Sequence, residues 1–160
     1  MTHSPELDSG ITRDIYGMPA FVSIDAADVR QAADWCVAAL GFIELFAMPP
    51  GPSPSLVHLR RWRYQDILIR RADADAAVGP GLQLSFAAEH DELEALAASA
   101  RRSGAEQVDG PADTAWNTRD VTVTTPFGLR VTFTARRPEP ERDAAFTARM
   151  EQWSREQLPG

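Results

Sequence analysis

The chain contains no lysine. All 16 of its basic residues are arginines, so no ε-amino group is available for a Schiff base. Cysteine is almost as scarce: Cys36 stands alone, which rules out an intramolecular disulfide and a cysteine-rich metal site. It lies in "AADWCVAAL", on the apolar side of a helical pattern, and reads as a small buried residue rather than a reactive thiol. Positive charge is in deficit as well. A net charge of -7 and a pI near 4.9 argue against duplex nucleic acid or anionic lipid as a partner. No apolar run approaches the ~20 residues of a membrane span, and the polar start "MTHSPELDSG" is unlike a signal peptide, so the expected location is cytoplasmic.

What is present is enough for one good core: 160 residues, 44% of them hydrophobic. Residues 1–17 are polar and turn-rich and read as a flexible N-terminal arm. In "PAFVSI" (19–24), Ala20, Val22 and Ile24 alternate with Phe21 and Ser23, as on a half-buried strand. Then Val29, Ala32, Ala33, Cys36, Val37 and Leu40 recur at helical spacing, with Asp25 or Asp28 as cap and Gly41 as stop. Three strand-like runs follow, "FIELFAM", "SLVHLRR" and "DILIRRA", the first two separated by the loop "PPGPSPS".

After the linker 73–80 the same order returns: "LQLSFAA", the helical "EHDELEALAASARRSG", then "AEQVDG", "RDVTVTT" and "LRVTFTA". Strand, helix and three strands are written twice, in modules 18–72 and 81–136 of one domain, 18–136. Pro138 and Pro140 end the sheet pattern. Residues 138–158 form an amphipathic C-terminal helix carrying Phe146, Met150 and Trp153, expected to bury that stripe on its own subunit or a partner.

This doubled βαβββ order, with "LGF" closing the first helix, "SG" the second and "TPFG" turning into the last strand, resembles the vicinal-oxygen-chelate superfamily of glyoxalases, ring-cleaving dioxygenases, fosfomycin-modifying enzymes and bleomycin-resistance proteins. The resemblance implies an α+β fold in which two βαβββ modules form a curled-sheet cup, here with a C-terminal helical extension. It also implies a homodimer. Within each module one strand register should face the helix: Ala20, Val22, Ile24, Val57, Leu59, Ile67, Leu84, Phe86, Val121, Val123, Val131 and Phe133. The other register, with Phe21, Ser23, His58, Arg60, Asp66, Leu68, Gln83, Ser85, Thr122, Arg130 and Thr132, should line the cup.

Metal-dependent members of the superfamily place His or Glu on the first and last strands of each module. Carried over by register, those places fall at Phe21, Leu68 (or Asp66 in an alternative register), Gln83 and Thr132. Phe21 and Leu68 offer no donor atom, and Gln83 with Thr132 would make a poor site, so no metal or other cofactor is expected. His58 with Asp66 could supply a general base or an unorthodox metal site; a histidine satisfied by a cross-strand carboxylate is the plainer alternative. His3 and His90 read as surface residues.

The segment "AWNTRDVTVTTPFG" resembles the part of bleomycin-resistance-type proteins where a tryptophan and a following arginine, here Trp116 and Arg119, help to wall the drug groove. It departs from them at Asn117-Thr118, where many relatives have a glycine, and at Thr125, where they have aspartate. Trp116, Phe21 and Trp62 offer flat rings for a planar ligand, whereas Trp35 and Trp153 read as helix packing. Two functional expectations follow. One is a metal-free binding protein that sequesters a planar aromatic antibiotic or metabolite with Phe21, Trp62, Leu68, Gln83, Trp116, Arg119 and Thr132. The other is an enzyme of the same fold, a lyase, isomerase or dioxygenase, working through His58 and Asp66.

Overall fold

The first element that the alternating pattern demands is a strand ending in buried Ile24 and Ala26, and β1 runs Val22–Ala26. A computed structural model of the chain describes Arg13 and residues 21–72 and 82–157, apart from the Gln157 side chain. The expected arm (Arg13 excepted), Ala20 and the linker 73–80 lie outside the described residues. The chain divides into two compact units between Leu82 and Gln83, and each is described by itself.

In the first unit β1 leads into α1 (Val29–Leu40), then β2 (Ile43–Met48), β3 (Leu56–Arg60) and β4 (Asp66–Arg71). Asp28 caps α1 by accepting the Gln31 amide at 2.9 Å, and Gly41, in the left-handed region at φ 74°, ends it. The buried stripe is Val29, Ala32, Ala33, Cys36, Ala39 and Leu40. Val37, expected in it, is exposed, because at 3.6 residues per turn it lies roughly 100° off the stripe's centre. The strands form one sheet in the order β1-β4-β3-β2, with β1 parallel to β4 and the other pairs antiparallel. α1 packs on the face carrying Ile24, Val57, Leu59, Ile67 and Ile69, each side chain contributing about 1.5–3 kcal/mol by leaving water. The opposite face is open in the sense that, among the described residues, no helix of this unit lies on it; His58, Arg60 and Asp66 on that face are nonetheless buried.

The second unit repeats the plan. β5 (Gln83–Ala87) precedes a 3₁₀ turn (His90–Glu92) and α2 (Leu93–Arg102). Then come β6 (Gln107–Asp113), β7 (Thr118–Thr124) and β8 (Arg130–Arg136), in the sheet order β5-β8-β7-β6 with β5 parallel to β8. Leu93, Leu96, Ala97 and Ala100 of α2 and Val121, Val123, Val131 and Phe133 of the sheet are buried. β6 continues beyond Gly110 because a bulge between Asp109 and Ala112 restores its pairing with β7. Gly110, at φ 93°, has no room for a side chain there: a Cβ would lie 2.4 Å from the Asp120 carbonyl oxygen. In the turn before β8, buried Thr125 accepts the Leu129 amide on its hydroxyl at 3.0 Å, a bond that an aspartate carboxylate could also accept.

After β8 a short 3₁₀ turn (Glu139–Glu141) leads to α3 (Ala144–Gln157), so the sheet pattern and the tail are separated as Pro138 and Pro140 require. Only Phe146 of the tail's apolar stripe is partly covered. Met150 and Trp153 are exposed, so within the single chain the stripe they form with Phe146 is left largely uncovered by the described residues.

Candidate functional site

Strand parity places three charged or titratable side chains together on the open face of the first sheet. His58 and Arg60 alternate along β3, and Asp66 opposes Arg60 across the β3–β4 hairpin. The Arg60 guanidinium forks onto the carboxylate, from Nε to Oδ1 at 2.9 Å and from its terminal nitrogen to Oδ2 at 2.8 Å. His58 Nε2 lies 2.8 Å from the same Oδ2. All three are buried, Arg60 with only 1% of its surface exposed. The His58–Asp66 pair is therefore real, and a third partner already balances its carboxylate.

Around this cluster the open face is apolar. A bulge at Leu45 shifts the register of β2, so that Phe46 pairs with His58 and its ring meets the imidazole edge-on, with centroids 5.2 Å apart. Leu68 pairs with both Ser23 and His58 on the same face. Phe21, just before β1, is 53% exposed, and Met48 and Phe46 are also exposed. Trp62 belongs elsewhere: it is buried in the β3–β4 turn, with the Arg61 guanidinium 4.5 Å from its ring centroid, so one ring face is already taken.

The open face of the second sheet is polar instead. Gln83 Nε2 donates to Thr132 Oγ1 at 2.6 Å, and Thr132 Oγ1 is 2.8 Å from Thr122 Oγ1. One pair further along, Thr134 donates to Asp120 Oδ1 at 2.7 Å. Arg119 is absent from this face. It shares the parity of Val121 and Val123, faces α2, and binds Asp113 at 2.9 Å with Glu94 at 3.5 Å. The hydrogen bond from Arg119 holds the Asp113 carboxyl below the usual carboxylate range, and the same pairing raises the Arg119 guanidinium above its ordinary value.

Trp116 sits in the β6–β7 connection, 58% exposed. The next residue, Asn117, has φ 63°, which explains why a glycine serves at this place in related segments. Its side chain then does what glycine cannot. The Asn117 amide donates to the Asp143 carbonyl and the Thr147 hydroxyl, both at 3.1 Å, and its oxygen accepts the Asp143 amide at 2.6 Å. Asp143 in turn caps α3 through the Ala145 amide at 2.8 Å. The helix is thereby stapled beside Trp116, and a groove of about 530 Å³ opens between them, lined among others by Trp116, Thr118, Arg136, Phe146, Met150 and Glu151.

These donors fit a metal ion poorly. Phe21 and Leu68 have none, Gln83 and Thr132 hold each other, and Asp66 is engaged by Arg60 and His58. Among the described residues no group of three or more His, Cys, Asp or Glu is placed to hold one. Cys36 offers no alternative chemistry, because burial pushes its thiol up to about 12.

No protein-family model and no curated protein matches the sequence. Solved structures do match. A glyoxalase/bleomycin resistance protein/dioxygenase family enzyme from Burkholderia phytofirmans PsJN aligns with a TM-score of 0.61 at 16% identity, over 74% of this chain and 98% of that one. TioX from Micromonospora sp. ML1 aligns at 0.58 and 20% identity, over 75% and 99%. The fosfomycin resistance protein FosX from Listeria monocytogenes aligns at 0.58 and 10% identity, over 76% and 94%. Among the described residues no helix is long and apolar enough to cross a membrane. The doubled βαβββ order, the two 1-4-3-2 sheets and these alignments together give the chain the fold of the vicinal-oxygen-chelate superfamily.

Proposed function

We propose that the chain is a small-molecule-binding protein that works without a metal ion and sequesters a planar, largely aromatic compound, as a resistance protein or metabolite carrier would. The observation that carries this reading is the pair Gln83–Thr132. At two of the places where metal-dependent relatives of the fold have ligands, these side chains bond to each other at 2.6 Å, and the other two places hold Phe21 and Leu68. Binding needs shape, apolar surface and a few polar contacts. In the first unit the exposed Phe21, Phe46 and Met48 offer apolar surface; in the second, the exposed Trp116 offers an aromatic ring and the threonine face offers polar contacts. That FosX is a fosfomycin resistance protein makes antibiotic binding a reasonable role for this chain too. The working form is a homodimer in the cytoplasm.

Enzymatic action through His58 and Asp66 is the second reading, favoured by their 2.8 Å contact. It is the weaker one, because the Asp66 charge already serves Arg60 and is less available to stabilise an imidazolium during proton transfer. The test is a metal determination on protein purified without chelator, with tryptophan-fluorescence titration against a panel of planar antibiotics. The proposal expects no stoichiometric zinc, nickel or iron, an unchanged thermal midpoint in EDTA, and saturable binding of at least one compound that survives His58→Ala. One tightly held divalent ion per chain, or no binding by any compound, overturns it.

A further inference from the structure

The groove between α3 and the Trp116 turn carries a chemistry that a general planar-ligand site does not require. Its apolar wall is Trp116, Phe146 and Met150, and Arg136 and Arg142 stand in its lining against one carboxylate, Glu151. A local excess of positive charge is notable on a chain of net charge -7. Arg136 is placed there by register: it pairs with Thr118 at the end of the open face of the second sheet, in line with Thr132 and Thr134. Its guanidinium has no ion-pair or hydrogen-bond partner among the described residues. Most other arginines near it are engaged, Arg137 by Asp113 and Arg142 through Nε by the Arg137 carbonyl. Arg149 lies with its guanidinium 5.9 Å from the Phe146 ring, which adds a further cation beside the apolar wall.

We propose that this groove binds an aromatic anion, a planar ring carrying a carboxylate, sulfonate or phosphate. The ring lies against Trp116 and Phe146, and the anionic group pairs with Arg136, whose planar fork of donors matches such oxygens. A volume of about 530 Å³ suits a compound of two or three rings. The proposal rests on the small-molecule-binding reading above and adds to it the place and the charge of the ligand. α3 is then a functional wall. Its exposed Met150 faces ligand, and the Asn117–Asp143 staple positions that wall.

The test uses the full chain and two fluorescent probes, the anionic anilinonaphthalene sulfonate and its uncharged counterpart phenylnaphthylamine, titrated at several protein concentrations. Arg136→Gln should weaken the anionic probe by about three- to fivefold, the range for one solvent-accessible charge pair, and leave the neutral probe unchanged. Trp116→Ala should weaken both by about tenfold, as loss of an aromatic anchor does. Met150→Glu, a change at an exposed helix position that should not disturb folding, should weaken the anionic probe more than the neutral one. If Arg136→Gln affects both probes equally, or if Trp116→Ala and Met150→Glu change neither, the groove proposal fails. Uncharged planar compounds would then still bind, and the broader function would stand. Probe binding that falls as the chain self-associates would show that a second copy covers the groove, which also overturns the proposal. If no planar compound of either charge binds, the broader reading falls with it.

Discussion

Removing the Asp66 carboxylate is the sharpest test of how the first unit is held together. In Asp66→Ala the Arg60 guanidinium, 1% exposed, loses both oxygens of its fork, at 2.9 and 2.8 Å, and His58 loses its partner at 2.8 Å. Breaking a buried ion pair from one side typically costs about 3–5 kcal/mol, because the remaining charge stays out of water and has lost its countercharge. That is a large share of the roughly 5–15 kcal/mol by which a domain is stable. With a urea slope of about 2 kcal/mol/M, the unfolding midpoint should fall by roughly 1.5–2.5 M. The double variant Arg60→Met with Asp66→Leu removes both charges and keeps the volume, so it should recover most of the loss. The assay is urea unfolding followed by circular dichroism on the wild type, the single variant and the double variant. If Asp66→Ala costs less than about 1 kcal/mol, or if the double variant is no more stable than the single, then the fork is not what balances Arg60, and the argument that Asp66 is unavailable for catalysis loses its basis.

Gly110→Ala should destabilise the second unit by about 1–3 kcal/mol, since its Cβ would press on the Asp120 carbonyl at a positive φ; an unchanged urea midpoint would refute the close approach. With its thiol pushed up to about 12, Cys36 should stay silent to a thiol-specific chromogenic reagent at pH 8 and give one equivalent only after unfolding; rapid reaction of the folded chain would show that it is accessible. Arg119→Gln should let the Asp113 carboxyl titrate nearer its ordinary value. The sign follows from the depressed folded value: the stabilisation from this pair is complete above the unfolded carboxylate range and is lost as pH falls through the lower folded value, so the variant should show a flatter loss of stability in acid. Carboxyl-carbon NMR titration measures the shift, and an unmoved Asp113 would mean that Arg137 is its controlling partner.

Period-two alternation is a local property, and it was enough to place Val57, Leu59, Val121 and Val123 against their helices and His58, Leu68 and Thr132 on the open faces. The same parity already excluded Arg119 from the open face, because it stands two residues before Val121. The resemblance to a drug-groove segment points the other way, but Arg119 lies on the helix-facing register and pairs with Asp113. Other features had no local signal. The extra residue Leu45 turns Phe46 toward His58, and one inserted residue leaves no mark on a run as uniformly apolar as "FIELFAM". Trp62 is expected to offer a flat ring for a planar ligand, yet it is buried with the Arg61 guanidinium over its ring, a packing that no periodicity encodes. The Trp116 groove depends on Asn117 reaching Asp143, 26 residues away, a contact that no periodicity encodes. The contrast has a physical origin. Whether a position can ligate a metal is decided by the atoms of its own side chain once the register is known, so Phe21 and Leu68 could be excluded from the sequence alone. Whether a position can hold an organic ligand depends on what stands opposite it. For Trp116 that is a helix whose placement rests on one asparagine in a left-handed turn, so the groove beside it leaves no local mark in the sequence.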